Sequence, residues 1–266
     1  MRRVIFNQKG GVGKSSIAAN LAALSAAKGF RTLLIDLDVQ GNSSHYLGHD
    51  ASDSKDRTIA DLLNQTVGWF SVSTPVKDFP QSTAFDNLYL IPSSPKLDKI
   101  EAELERRYKI YKLRDALDEL EKQFDRIYID TPPNFNFYSK AALIAAHKLL
   151  IPFDCDSFSQ QALMTLLNNV AELRDDHNPS LAVEGIIVNM FNAQANFPTK
   201  IIEDLRDLDL PILEPYLPLS VKMKESHYHQ KPLPHLLPNH KLTKAFEQLY
   251  TQLEAETLVE GTAAAN

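Results

Sequence analysis

The stretch Gln8-Lys9-Gly10-Gly11-Val12-Gly13-Lys14-Ser15 constrains this chain more than any other, because of what flanks it. An apolar run, Val4-Ile5-Phe6, leads into it, and a small-residue helical pattern, Ile17-Ala18-Ala19-Asn20-Leu21-Ala22-Ala23, leads out. A strand that enters a glycine turn and leaves as a helix builds an anion site. The glycines let backbone N–H groups face an anion with no Cβ in the way, and the helix offers unpaired amides and its positive dipole end. In that setting Lys14 reaches the terminal phosphates and Ser15 a magnesium ion, while Gly10, Gly11, Val12, Gly13 and Ser16 complete the cradle. A plain glycine-rich turn with two solvated lysines would not require the flanking strand and helix.

The general pattern G-x-x-x-x-G-K-[ST] is incomplete here, since Gln8 stands at its first glycine. A Gly-Gly pair and an additional lysine, Lys9, replace it. This K-G-G-x-G-K-[ST] form resembles the deviant Walker A loop of the ParA/MinD family of ATPases. The resemblance implies ATP and Mg2+ as cofactors, with Lys9 as the signature lysine that reaches across a homodimer to the other subunit's nucleotide.

Residues 15–28 read as a helix ending at Gly29, and Phe30 to Leu37 carries a second apolar strand. A strand–loop–helix–strand unit of this length is a right-handed parallel crossover. It delivers Asp36 and Asp38 to the carboxyl end of a strand, where open α/β sheets bind ligands. A carboxylate beside a triphosphate is repelled unless it holds magnesium or a water, so Asp36 or Asp38 does one of these, or the two are strand-end turn formers. The segment Asp36-Leu37-Asp38-Val39-Gln40-Gly41-Asn42 resembles the family's second motif, D-x-D-P-Q-G-N, with Val39 in the proline position. On that resemblance Asp38 positions the attacking water and Asp36 stands near the metal. Losing the proline is expected to loosen this turn without touching the carboxylates.

Phe124 to Pro133 is an apolar strand closed by an acid and a proline turn, and it looks like the family's Walker B segment. Asp130 would then lie beside the magnesium through its water shell, because magnesium keeps several waters. Further strands are expected at Leu88–Ile91, Lys148–Phe153 and Ala182–Val188, the last of these ending at Asn189. A short capped helix is expected at Thr58–Leu63, in an otherwise irregular stretch, 45–85, that carries no assignable chemistry. One charged helical region, a solvated face, is expected from Pro95 to about Phe124. In the family an asparagine after the late strand reads the adenine edge and a nearby loop packs on the ring. Asn189, Pro218 and Leu219 match those places, although Asn189 also suits a plain turn.

A chain of 266 residues with 44% hydrophobic content can bury one sizeable core. The expectation is a single P-loop α/β domain over 1–256, a mostly parallel twisted sheet covered by helices on both faces, followed by a flexible tail at 257–266. Cys155 is the only cysteine. It rules out an intramolecular disulfide and a cysteine metal cluster, and with no histidine partner it is not a nucleophile. No apolar run approaches the roughly 18 residues of a spanning helix, so a cytoplasmic protein is expected.

The formal charge of −6 restricts any nucleic-acid contact to a local patch. Between Tyr216 and Phe246 the bases Lys222, Lys224, Lys231, Lys241 and Lys244 face a single acid, Glu225. Lysine contacts to phosphates give affinity without sequence preference and weaken with salt. The four histidines of this segment, His227, His229, His235 and His240, lack metal-ligand spacing. The run Val221-Lys222-Met223-Lys224-Glu225-Ser226-His227 with Lys231-Pro232 resembles the family region ending in G-K-P, with Gln230 replacing the glycine.

The resemblance to small ParA proteins without a helix-turn-helix implies an ATP-dependent dimerising switch with weak intrinsic hydrolysis. It would bind double-stranded DNA non-specifically on the nucleoid, respond to a partner protein that stimulates hydrolysis, and position a plasmid, a chromosome locus or a large assembly. The alternative is a MinD-like, membrane-associated regulator of division or flagella, which needs a basic amphipathic C-terminal helix. The acidic end of this chain does not provide one, so no membrane partner is expected.

Overall fold

The computed structural model describes residues 1–49, 57–65, 73–156 and 159–263, with side chains to residue 255. Its strands are β1 (Arg2–Ile5), β2 (Thr32–Asp36), β3 (Gln81–Ser82), β4 (Leu88–Ile91), β5 (Arg126–Asp130), β6 (Lys148–Asp154), β7 (Ala182–Asn189) and β8 (Ile212–Leu213). They form one sheet in the order β3-β4-β2-β5-β1-β6-β7-β8, with only β3 antiparallel to its neighbour. β1 lies between β5 and β6, so the loop that follows it opens at the middle of the sheet's carboxyl edge.

The strands alternate between two cores, as a sheet covered on both faces requires. Val4, Leu33, Ile35, Ile127, Ile129, Leu149 and Ile151 belong to one buried cluster. Their neighbours Ile5, Leu34, Tyr128 and Leu150 belong to the other. The second cluster is closed by α1 (Lys14–Ala27) and α2 (Asn42–Tyr46). The first is closed by α3 (Ile59–Asn64), α4 (Lys96–Arg106), α5 (Lys112–Leu120), α6 (Phe137–Ala145), α7 (Ser159–His177) and α8 (Asn196–Arg206). Two further helices, α9 (Val221–Tyr228) and α10 (Leu233–Leu236), lead to α11 (Lys241–Ala263), whose Leu242, Phe246, Leu249 and Leu253 return to the α1 side. α1 is apolar nearly all round because it lies between the sheet and α11, and Ala18, Ala19, Ala22, Ala23 and Ala26 permit that close approach.

Thr58 caps α3 in a reciprocal capping box with Asp61, as the sequence predicts. The charged region from Pro95 to Phe124 is two helices rather than one. Tyr108 takes a φ of 53°, which ends α4 before α5 begins. α11 passes through the boundary expected at 256, and of the expected tail residues 264–266 lie outside the described residues. A buried ionic clasp fastens α11 to the sheet. Arg3, 1% exposed, bonds Glu184 at 2.8 Å and Glu254 at 2.7 Å, and Arg126 meets Glu254 at 2.5 Å.

Candidate functional site

The chain leaves β1 into residues 6–13 and re-enters regular structure at Lys14. Gly13 caps α1 with φ 90° and no side-chain cap, so the first amides of the helix stay open to a ligand. A Cβ on Gly13 would stand 2.3 Å from Asn189 Nδ2. That nitrogen donates to the Val12 carbonyl at 2.9 Å, tying the end of β7 to the phosphate loop. Gly11 also takes a positive φ, of 78°.

The two lysines of the loop have separate surroundings. Lys14 is buried at 7% exposure and donates from Nζ to the Lys9 carbonyl at 2.9 Å, curling back over the loop. Burial pulls its pKa down, and the Asp130 and Asp38 carboxylates only partly offset this. Lys9 points away, to an ion pair with Asp156 and, at 3.5 Å, with Asp154 at the end of β6. Burial opposes its charge, but these two carboxylates outweigh burial and hold its pKa above the ordinary lysine value.

Asp36 and Asp130 are partners across β2 and β5, and both are fully buried. Asp36 is committed locally: Oδ2 accepts from Ser44 N at 2.8 Å and Ser44 Oγ at 2.7 Å, and Oδ1 accepts from Asp38 N at 3.1 Å. Burial, then the Asp130 charge, push its pKa to about 8. Asp130 Oδ2 accepts from Ser43 Oγ at 2.5 Å, but Oδ1 is buried with no hydrogen-bond partner. Burial raises its pKa to about 6 against the Ser43 hydrogen bond and the Lys14 charge. A buried carboxylate oxygen with no donor, beside Ser15 and Lys14, is where a hydrated dication belongs. The residues present therefore fit Mg2+. The Asp38 turn stays closed without its proline, because Gly41 N donates to Asp38 O at 2.9 Å and Gln40 N to Asp38 Oδ1 at 3.0 Å.

These groups surround a cavity of about 450 Å³ lined by Gly10, Gly11, Gly13, Lys14, Ser15 and Ser16 of the loop and by Asp38. His45, Tyr46 and His227 also line it. Lys9 does not line it, and neither do Asn189, Pro218 or Leu219. Pro218 and Leu219 lie beside the end of β7 instead, bridged to Phe191, with Leu219 65% exposed. A larger cavity of about 580 Å³, near His49, His229 and His235, has no acid and no phosphate turn among the described residues of its lining. Among the described residues no group of three or more His, Cys, Asp or Glu side chains is placed to hold a metal ion, and no helix is long and apolar enough to cross a membrane. Burial, with Asp154 and Asp156 beside it, pushes the Cys155 thiol up to about 11, which keeps it protonated and unreactive.

The basic segment is less basic than its sequence. Lys222 pairs with Glu225 at 2.7 Å and Lys244 with Glu247 at 2.8 Å, leaving Lys224, Lys231 and Lys241 as exposed cations without an ion pair among the described residues. His227 was not expected at the cavity. Its Nε2 lies 3.0 Å from Ser16 Oγ, a contact between residues 211 apart for which no local pattern exists. Burial and the neighbouring His45 hold its pKa below the ordinary histidine value.

The family model described as an AAA domain matches residues 3–183. The chain is 34% identical over 231 residues to the chromosome partitioning protein ParA of Myxococcus xanthus, covering 86% of this chain and 79% of that protein. Its fold is similar to that of a Cyanothece McdA in complex with ATP, with a TM-score of 0.82 and 27% identity over 95% of this chain and 96% of that one. It is also similar to cobyrinic acid a,c-diamide synthase from Mycobacterium smegmatis with bound ADP and magnesium, with a TM-score of 0.81 and 25% identity over 95% and 93% of the two chains.

Proposed function

The chain belongs to the ParA/MinD family of P-loop ATPases, a partitioning or positioning ATPase with ATP and Mg2+ as its cofactors, and from that premise we propose that it is a DNA-binding dimerisation switch. ATP closes two copies into a homodimer, the dimer holds double-stranded DNA without sequence preference, and hydrolysis opens it. The observation that carries this reading is the division between the two lysines. Lys14 lines its own cavity, whereas Lys9, in the same loop, does not and is 32% exposed at the side-chain level. A lysine so held by Asp154 and Asp156 can exchange those carboxylates for the phosphates of a second subunit's nucleotide.

Ser15 and Asp130 would hold the magnesium through its water shell, with Asp36 behind them fixing the turn that presents Asp38. When bound, Mg2+ supplies charge neutralisation to the phosphate oxygens. The amides at Gly13 and Lys14 orient the phosphates, Lys14 stabilises charge developing on them, and Asp38 orients the attacking water. Asn189, Pro218 and Leu219 would take the adenine end, since Asn189 anchors directly on the loop. Lys222, Lys224, Lys241 and Lys244 would make the phosphate contacts with DNA, and a partner protein would accelerate the hydrolysis that releases it. The cargo is a DNA locus or a large assembly in the cytoplasm, on the nucleoid.

Retention of the full chain on random-sequence duplex DNA tests this reading. Retention should require Mg-ATP and fall steeply between 50 and 200 mM salt, by about 10³-fold for about six phosphate contacts. Retention indifferent to nucleotide and salt would refute it.

A further inference from the structure

The helix behind the phosphate loop and the basic helix α9 meet through a buried cluster of polar side chains. Asn20 of α1, 0% exposed, donates from Nδ2 to Ser16 O at 2.8 Å and to Tyr46 Oη at 3.1 Å, and its Oδ1 accepts from Leu233 N at 2.8 Å. The Tyr46 hydroxyl bonds Ser226 Oγ, which donates onward to Lys231 O at 2.9 Å. His227 packs its ring against Tyr46, with centroids 4.2 Å apart and planes tilted by 49°, and sets Nε2 3.0 Å from Ser16 Oγ. Of this cluster, Ser16, Tyr46 and His227 line the nucleotide cavity, and only His227 does so from α9.

We propose that His227 is the positioning residue through which nucleotide in the phosphate loop sets the orientation of α9, and with it Lys222 and Lys224. Ser16 lies in the first turn of α1, where bound phosphates draw on every N–H and O–H donor. Its hydroxyl, now bonded to the ring, is then offered a phosphate oxygen as a competing acceptor. The ring either turns its own N–H to the phosphate or loses its partner, and in both cases it moves against Tyr46. α9 is susceptible to such a move because it spans only Val221–Tyr228 and Ser226 is its only buried residue. An element held by so few buried contacts is drawn from the low-stability end of a fold and is easily biased. Burial leaves the ring uncharged near neutral pH, which suits an acceptor for the Ser16 proton.

The inference rests on the nucleotide reading of the cavity and does not depend on what α9 binds. Hydrogen exchange of the full chain, with and without a slowly hydrolysed Mg-ATP analogue, tests it without reference to DNA. In the unaltered protein the analogue should slow exchange both in the loop, 10–20, and in 221–231. In His227→Phe, which keeps the ring contact and removes the hydrogen bond, loop protection should persist while the change in 221–231 falls at least about fivefold, the low end of ordinary allosteric couplings. His227→Gln, which restores a bonding group, should recover part of it. Equal responses of 221–231 in the unaltered and His227→Phe proteins would overturn the inference, as would a protected loop beside an unresponsive 221–231. An unprotected loop in the unaltered protein would instead overturn the nucleotide reading itself, and this inference with it.

Discussion

At Gly13 the left-handed backbone and the Asn189 amide together exclude any side chain. Gly13→Ala would incur about 1–2 kcal/mol of backbone strain and would displace Asn189, so nucleotide affinity should fall at least about tenfold in a titration with a fluorescent ATP analogue. Asp38→Ala should behave oppositely. Binding should persist while single-turnover hydrolysis falls about 10²- to 10⁴-fold, since the residue acts on the water and not on the phosphates. Gln230 occupies the place of the family's glycine and takes a φ of 50° to do so. Gln230→Gly should therefore raise stability by up to about 1 kcal/mol in urea denaturation. The glycines, Lys9, Lys14 and Asp38 are legible in sequence because each is a local requirement of one turn. His227, Tyr46 and the unpaired oxygen of Asp130 are not, because they acquire meaning only when segments far apart in the chain are packed together.

Among the elements, α11 depends on an ionic contact and not on apolar packing alone. Burial works against the Glu254 carboxylate, but its hydrogen bonds from Arg126 and Arg3 outweigh burial and hold its pKa below 4.5. A carboxylate depressed in the folded state stabilises fully above its unfolded pKa, and that contribution is lost as pH falls through the folded value. Glu254→Gln leaves Arg3 and Arg126 short of a partner and should cost about 3 kcal/mol at pH 7. In denaturation curves the difference from the unaltered protein should shrink as the pH drops below about 4.5. Near the β8 edge of the sheet, a Cβ on Gly185 of β7 would meet Leu213 of β8 at 2.4 Å. Gly185→Ala should destabilise by about 1–3 kcal/mol, measured the same way. The long strands and α1 are readable because their apolar runs are long and their connections short. β3 and β8 escape because two residues carry no period, and the break at Tyr108 escapes because a non-glycine residue at positive φ leaves no mark in a charged run.

For the whole molecule, the mostly parallel sheet with two covered faces follows from one β–loop–α–β unit and the alternation of β1, β2, β5 and β6 between two cores. Net charge is a weaker guide at this scale, since Glu225 and Glu247 neutralise part of the basic segment that stands out in the sequence. The function proposed here is a property of two copies: Lys14 would serve its own nucleotide, and Lys9 would exchange Asp154 and Asp156 for another. The mass of the Asp38→Ala protein in solution with saturating Mg-ATP tests that division directly. It should be that of a dimer, and adding Lys9→Ala should return it to a monomer with ATP still bound. A monomeric Asp38→Ala protein, or a dimer indifferent to Lys9, would contradict the account.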